Sequence, residues 1–415
     1  EHINYLLRSD LLHYKYPIIL TKDNYQSMKL KNNKIDDILY FKPVIHLGER
    51  VNVNELSLSK FDIPIRSFNV TEENIEFNVS TTETLKILPG ILVKSYGGRG
   101  GVSTLSVHGG QAQRFMVLFD DIPINNEQNG VADISQIPSF LLSNIHHINQ
   151  GLSSRFGESA STGALNFSPS KIGNKLSIRK GNFNDSSISY MLSKSLFKHN
   201  FTFSGGDSKY DAKFDYIESG DYSSVPYQLF ERFDNLKNFI NQNFYYSKIS
   251  RKFPKGSYFF STLNVDNQRE LSTNIYSRTD NQRMHDNLDL YNLSLKYKNY
   301  NFLYTIKENA IEYMYDIHRL RTQRLILNYE FDNHSIKLLA RTIKNKSTKT
   351  IDTTKNFLSL SIRTKNNINN LEFFNSARFE FENKAKTIIN HDFIIMYGNN
   401  NNFISSFTFS QNYKK

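Results

Sequence analysis

Residues 291–298 read YNLSLKYK. Tyr291, Leu293, Leu295 and Tyr297 alternate with Asn292, Ser294, Lys296 and Lys298, so an extended strand turns its apolar side chains to one face and its polar ones to the other. No helix segregates residues at that spacing, because its apolar positions recur every three or four residues. The same period returns at 358–363 and 377–382, at 325–331 with one lapse at Ile326, and loosely at 403–411.

Working outward from this stretch, the C-terminal 240 or so residues resolve into about thirteen such segments between 175 and 413, many near the roughly 9 to 11 residues of a tilted membrane-crossing strand. Short links at 198–200, 298–299, 332–333 and 365–369 take turns with longer ones at 206–236, 267–287 and 344–355. One end of the sheet then carries tight turns and the other carries loops. Together with Tyr and Phe near the strand ends, this is the asymmetry of an outer-membrane barrel. A soluble β-sandwich also alternates, but rarely keeps so many strands in short-long succession.

Composition sets the outer bounds. Within 415 residues the hydrophobic share is 39% and the mean hydropathy is −0.51. The longest apolar runs, such as 115–119, fall far short of the roughly 18 residues a spanning helix needs. The net charge of +11 raises nucleic acid as a partner, but the lysines are scattered singly along alternating strands with no basic cluster, so no nucleic-acid partner is expected. The absence of cysteine excludes disulfides and thiolate metal sites, and suits a reducing cytosol or a periplasm alike. The eleven histidines show no ligand spacing, and His146 and His147 are adjacent and would point to opposite faces of a strand. The Gly97–Gly98–Arg99–Gly100–Gly101 run lacks the Lys-Ser or Lys-Thr of a nucleotide loop. No nucleophile and base stand at catalytic spacing, and Asp120–Asp121 suit a turn better than acid-base chemistry. No enzyme, metal or cofactor is expected.

Before residue 170 the texture differs. Ser80 followed by Glu83 has capping-box spacing and opens a short helix that Pro89 and Gly90 stop. Phe115 to Phe119 form one apolar strand, Asp120, Asp121, Ile122 and Pro123 a turn, and Asn125, Asn126, Glu127, Gln128 and Asn129 a polar loop.

It is here that a family resemblance enters. The series TLKILPGILV (84–93), SYGGRGG (95–101), LSVHGG (105–110), VLFDDIPIN (117–125), DISQIP (133–138), SSRFG (153–157) and GALNF (163–167) resembles the plug domain of TonB-dependent outer-membrane receptors, nearest in pattern to the cobalamin and siderophore transporters. Its motif residues here are Pro89, Gly90, Gly109, Gly110, Asp120, Pro123, Gly157, Gly163 and Asn166. The resemblance implies a mainly β chain: an α+β plug inside a transmembrane antiparallel β-barrel of about 22 strands. With about thirteen strands present and Ser406 to Lys415 resembling a mid-barrel strand, a C-terminally truncated chain is expected, because open strand edges in lipid are costly. The expected division is an N-terminal region of unclear fold at 1–50, the plug at 51–170 and a partial barrel at 171–415.

The resemblance also implies a function: import of a scarce ligand such as a metal chelate, siderophore or cobalamin, with the TonB energy-transducing complex and outer-membrane lipid as partners. The alternative is a surface protein that binds ligand without importing it. By the same resemblance the apical plug loops touch cargo through Tyr96, Arg99, Ser103, Asn125, Asn126, Gln128 and Asn129, while Val51 and Val53 lie where a TonB-contacting segment is expected. Amides and hydroxyls suit a large polar ligand; an ordinary solvated loop would carry the same residues. Arg99 and Arg114 suit a carboxylate or phosphate on the cargo, or an ion pair within the protein. The chain departs from the family's pattern at His108, where Arg is usual, and at 146–149, where His-His-Ile-Asn replaces Glu-Arg-Ile-Glu. Both sides of an expected buried pairing are less charged, a paired loss that can be nearly neutral.

Overall fold

A computed structural model gives the architecture. It describes residues 19–20, 28–29, 66–69, 80–86, 88, 90–96, 99–107, 109–148, 160, 162–169, 173–217, 232–270, 283–313, 316–368, 371–382, 388–399 and 403–411. The chain divides into two compact units, 1–52 and 53–415. In the first, strands β1 (Ile19–Leu20) and β2 (Met28–Lys29) pair antiparallel.

The second unit begins with β3 (Arg66–Asn69), helix α1 (Thr81–Lys86), β4 (Ile91–Tyr96), β5 (Val102–Val107), β6 (Phe115–Phe119), β7 (Ile122–Pro123), β8 (Leu142–Ile148) and β9 (Gly163–Pro169). Ser80 caps α1 by accepting the Glu83 N–H at 3.3 Å, which satisfies one of the helix's unpaired donors. A five-stranded sheet runs β3-β8-β9-β6-β7, and β4 pairs with β5. The β6–β9 pair is parallel, and all five β6 side chains are buried, as a strand covered on both faces requires. Asp120 and Asp121 take left-handed φ of 47° and 68°, which makes β6 and β7 a tight two-residue hairpin. Asn166 straps that turn, accepting from the Asp121 N–H at 3.2 Å and donating to its carboxylate at 2.7 Å.

Among the described residues, thirteen further strands form one antiparallel sheet in chain order. They are β10 (Lys175–Lys180), β11 (Ser186–Leu196), β12 (His199–Ile217), β13 (Arg232–Phe253), β14 (Gly256–Glu270), β15 (Arg283–Tyr297), β16 (Tyr300–Tyr313), β17 (Asp316–Phe331), β18 (His334–Ser347), β19 (Thr353–Ile368), β20 (Leu371–Glu382), β21 (Ile388–Asn399) and β22 (Phe403–Gln411). Two-residue links at 197–198, 254–255, 298–299 and 332–333 mark one end, and the wider separations 218–231 and 271–282 mark the other, where β16 and β17 depart from the expected alternation by being only two residues apart, at 314–315. The strands reach further into the long-loop end than periodicity indicates: the stretch 206–236 reads as a loop, yet β12 runs to Ile217 and β13 starts at Arg232. Beyond Lys209 and before Phe239 these two strands pair with each other alone, and the ladder hydrogen bonds of that two-stranded extension form whatever the side chains.

The faces of this sheet are inverted relative to a water-soluble protein. Asn267 and Asp286 are 0% exposed and Ser359 1%, whereas Leu327, Leu338 and Leu358 are 46%, 44% and 53% exposed. Leu327 lies opposite Leu338, and Ala340 opposite Leu358, so the exposed residues form a continuous apolar band. Water would penalise both features; a hydrocarbon solvent outside and a filled lumen inside account for both. No helix among the described residues is long and apolar enough to cross a membrane.

The small sheet packs on the polar, inward face. One apolar cluster joins Phe115, Val117, Phe119, Ile134, Leu141 and Phe167 with Phe244, Tyr246, Leu263, Val265, Leu288 and Leu290 of β13 to β15. Phe119 meets Tyr246 edge-on at 6.1 Å. The same unit touches Asp185 before β11 and Arg341 on β18, so the large sheet wraps around it.

Candidate functional site

Three acidic side chains of the small sheet's loops are clamped by basic residues of the wall. Toward the short-turn end, the hairpin residue Asp120 accepts from Lys248 Nζ at 2.8 and 2.7 Å and from the Ser261 hydroxyl at 3.1 Å. Asn292 donates to the Asp120 carbonyl at 3.0 Å. Lys248 also lies 4.2 Å from the centre of the Phe259 ring, a cation–π contact that holds the ammonium in place.

Toward the long-loop end, Arg269 is 1% exposed. Its guanidinium donates to Asp286 and Asp133 at 2.7 Å each, to Ser135 Oγ at 2.6 Å and to the Gly100 carbonyl at 3.3 Å. Asp286 accepts in addition from Gln136 at 2.6 Å and Asn267 at 3.1 Å. One planar fork therefore ties two plug loops to β14 and β15, a task a lysine's point charge does not match. Gly100 has φ +92°, and a Cβ there would lie 2.7 Å from Ile240 Cβ, so only glycine brings this loop so close to β13.

Between these levels lies Glu127. It accepts from Arg324 at 2.6 Å and Arg341 at 3.3 Å, and Lys307 Nζ stands 3.6 Å away. Lys307 also donates to the Asn125 carbonyl at 2.5 Å. Burial opposes ionisation of Glu127, but Lys307, Arg324 and Arg341 outweigh it and bring its carboxyl down to about 2. Glu380 sits behind this cluster against Arg341 and Arg378. The wall thus holds more positive than negative charge facing the loop.

The expected ligand residues fall into two groups. Asn125 is 5% exposed; its amide accepts from Val117 N–H at 2.8 Å and donates to the Phe115 and Gly130 carbonyls at 2.9 and 2.8 Å. Asn126 and Asn129 accept from the N–H groups of Gln128 and Val131 at 2.8 and 2.9 Å. These three amides fix the loop's own shape. Ser103 is buried, and its N–H donates to Asp133 at 2.9 Å. Tyr96 is 60% exposed at the tip of the β4–β5 hairpin. Arg99 pairs with Asp185 at 2.6 Å and lies 4.8 Å from the Tyr210 ring centre.

Of the motif residues, Gly90 precedes β4, Gly109 and Gly110 follow β5, Gly163 opens β9 and Pro123 closes β7. Pro89, His108, Gly157, Val51 and Val53 lie outside the described residues. His146 and His147 are both buried on β8, with His147 edge-on to Phe115 at 6.2 Å. Among the described residues no group of three or more His, Cys, Asp or Glu is placed to hold a metal.

Sequence reading did not single out Glu127, Asp133, Asp286, Lys248, Arg269, Lys307, Arg324 or Arg341. A signal was present in the register: Lys307 and Arg324 share the inward face with buried Thr305 and Thr322, where a charge needs a partner.

The contact between plug and wall is uneven. Apolar packing engages Met191 on β11 and β13 to β15, and the three clamps engage β13 to β18, whereas against β10 to β13 a cavity of about 330 Å³ remains, lined by serines such as Ser95, Ser177, Ser187 and Ser208 and by apolar Ile137, Phe140, Ile240 and Phe244, with Arg99 at its edge.

Comparison with known proteins agrees with this anatomy. Residues 59–164 match the model of the TonB-dependent Receptor Plug Domain. Over 98 residues the chain is 34% identical to the vitamin B12 transporter BtuB of Vibrio vulnificus, a match covering 23% of this chain and 16% of the transporter. The BtuB of Vibrio cholerae is 30% identical over 99 residues, with the same coverage. Among solved structures, the ferric enterobactin receptor PfeA of Pseudomonas aeruginosa superimposes with a TM-score of 0.60 at 11% identity, covering 80% of this chain and 60% of the receptor. The siderophore receptor PirA of Acinetobacter baumannii gives 0.60 at 12% identity, covering 82% and 59%. The FrpB iron transporter of Neisseria meningitidis gives 0.61 at 11% identity, covering 80% and 62%. At these identities the likeness is one of fold, and the chain spans about three fifths of the length of the solved receptors.

Proposed function

We propose that this chain, which carries the plug and the fold of the TonB-dependent receptors, acts in the bacterial outer membrane as a receptor that imports a scarce ligand of the metal-chelate, siderophore or cobalamin kind. The observation that carries the reading is the plug held on the polar inner face of a lipid-facing sheet, where it obstructs passage until displaced. Ligand is taken from the long-loop end, where Tyr96 is exposed and Arg99 stands at the cavity's edge. Arg99 is already paired with Asp185, so an anionic group on the cargo exchanges with that carboxylate instead of meeting a bare cation. Energy comes from the TonB complex acting on the segment around Val51 and Val53. The plug domain is taken as 51–170 and the wall as 171–415.

The uneven seating supports a direction for the opening. The three clamps on β13 to β18 resist separation, whereas on the side against β10 to β13 a cavity of mixed serine and apolar lining lies beside the single Arg99–Asp185 pair. Uptake of labelled ferric siderophore or cobalamin by cells producing the chain tests the proposal. Accumulation that disappears when residues 51–55 are deleted, with binding retained, supports import. Binding with no energy-dependent accumulation refutes import and leaves a surface binding protein.

A further inference from the structure

The outer face of β17 and β18 carries a compact basic quartet that the plug and the clamps do not use. Leu320, Thr322 and Arg324 are buried toward the lumen, so Arg319 and Arg321 project outward, and on β18 Lys344 and Lys346 do the same; all four are exposed. Their register is unusual: Arg319 lies opposite Lys346, and Arg321 opposite Lys344. Like charges directly across a strand pair repel, and here two such pairs stack in successive outward rows, about 7 Å apart along the strand and about 4.8 Å apart across it.

Neutralisation from within the protein is slight. Glu308 on β16 bridges Arg321 at 3.1 Å, while Arg319, Lys344 and Lys346 have no carboxylate partner among the described residues. Glu312, also exposed on β16, makes no bridge to the quartet among those residues. At the same level β14 and β15 present Asp266 and Asp289 outward instead, each partnered by His285 or Asn264. The positive charge is therefore confined to two neighbouring strands.

Position supplies the second observation. One row below the quartet lie Gln323 and Thr342, and below them the outward pairs Leu325–Ala340, Leu327–Leu338 and Tyr329–Ile336 lead to the short turn at 332–333. The cations thus sit directly above the apolar band, on the long-loop side, at the level where acyl chains give way to headgroups.

We infer that this quartet binds the phosphorylated headgroup of an outer-leaflet glycolipid whose acyl chains lie along the apolar band of β17 to β19. The inference rests on the outer-membrane reading of the fold. A phosphate placed between the two rows contacts cations on both strands and relieves their mutual repulsion, while the paired acids of β14 to β16 keep it from spreading sideways.

The full chain, refolded into phosphatidylcholine vesicles containing bis-phosphorylated or fully dephosphorylated lipid A at equal mole fraction, tests this. Flotation reads insertion, and native mass spectrometry after detergent release reads retained lipid. The expected result is insertion into both vesicles with bis-phosphorylated lipid retained about tenfold more, a factor discounted for exposed charges. Substituting Arg319→Gln, Arg321→Gln, Lys344→Gln and Lys346→Gln together should abolish the preference, and Glu308→Gln, which frees Arg321, should increase it. Insertion without preference, or a preference unchanged in the quadruple variant, overturns the lipid site alone. Failure to insert into either vesicle overturns the membrane reading and the lipid site together.

Discussion

Replacing Glu127 by Gln isolates the clamp that fixes the 125–130 loop. The substitution keeps the side chain's shape and one acceptor oxygen but removes the charge that faces Lys307, Arg324 and Arg341. The wild-type carboxyl stands at about 2 against an ordinary 4.5. At about 1.4 kcal/mol per pH unit this favours the clamped loop by roughly 3 kcal/mol at neutral pH. That size agrees with the approximately 3 to 5 kcal/mol lost when one partner of a buried ion pair is removed. The sign follows from the direction of the displacement. A carboxyl held below its unfolded value contributes fully above about 4.5, and the contribution disappears as pH falls from there toward about 2. Amide hydrogen exchange of residues 125–131 in detergent micelles reads this directly. At pH 7 Glu127→Gln should raise exchange roughly a hundredfold. Wild-type and variant, compared at matched intrinsic exchange rates, should converge as pH approaches 2. Equal protection of the two proteins at pH 7, or a difference that persists undiminished below pH 3, would refute the electrostatic basis of the clamp.

Arg269→Met should lower the midpoint of thermal unfolding by several degrees, since it strands Asp133 and Asp286 at a cost of about 3 to 5 kcal/mol. Adding Asp286→Leu should recover part of the loss, and a single variant as stable as wild type would contradict the burial of that pair. Gly100→Ala should cost about 1 to 3 kcal/mol through its left-handed backbone and its contact with Ile240. In an Ile240→Gly background, which removes the facing Cβ, Gly100→Ala should still cost the backbone part, so no cost in that background in a denaturant titration would show that the φ of Gly100 carries no strain.

The sheet was legible because lipid and lumen impose opposite demands on alternate residues, and 291–298 records both in eight positions. The expected count of about thirteen strands between 175 and 413 matches the thirteen observed. The turn was legible at Asp120 and Asp121, because two aspartates tolerate positive φ, but Ile122 and Pro123, read as part of it, pair with Phe119 and Leu118 as β7. The clamps were not. Glu127 meets Arg341 across 214 positions, and no local pattern distinguishes Glu127 from any solvated acid in a polar loop. The asparagines beside it illustrate the same limit: an amide that staples its own turn and one that waits for a ligand have identical sequence signatures. Strand ends at the long-loop side were hidden for a different reason, since beyond the membrane no solvent constraint remains to mark where pairing stops.

The most direct test of the architecture is a nitroxide scan along β18, made clean by the absence of native cysteine. Single cysteines at residues 335–340 of the vesicle-embedded protein would be labelled and relaxed with oxygen and with a water-soluble nickel chelate. The expected result is an alternation of two, with oxygen contact high at 336, 338 and 340 and low at 335, 337 and 339. Chelate contact as strong at 336, 338 and 340 as at a loop site such as 350 would contradict a lipid-facing wall.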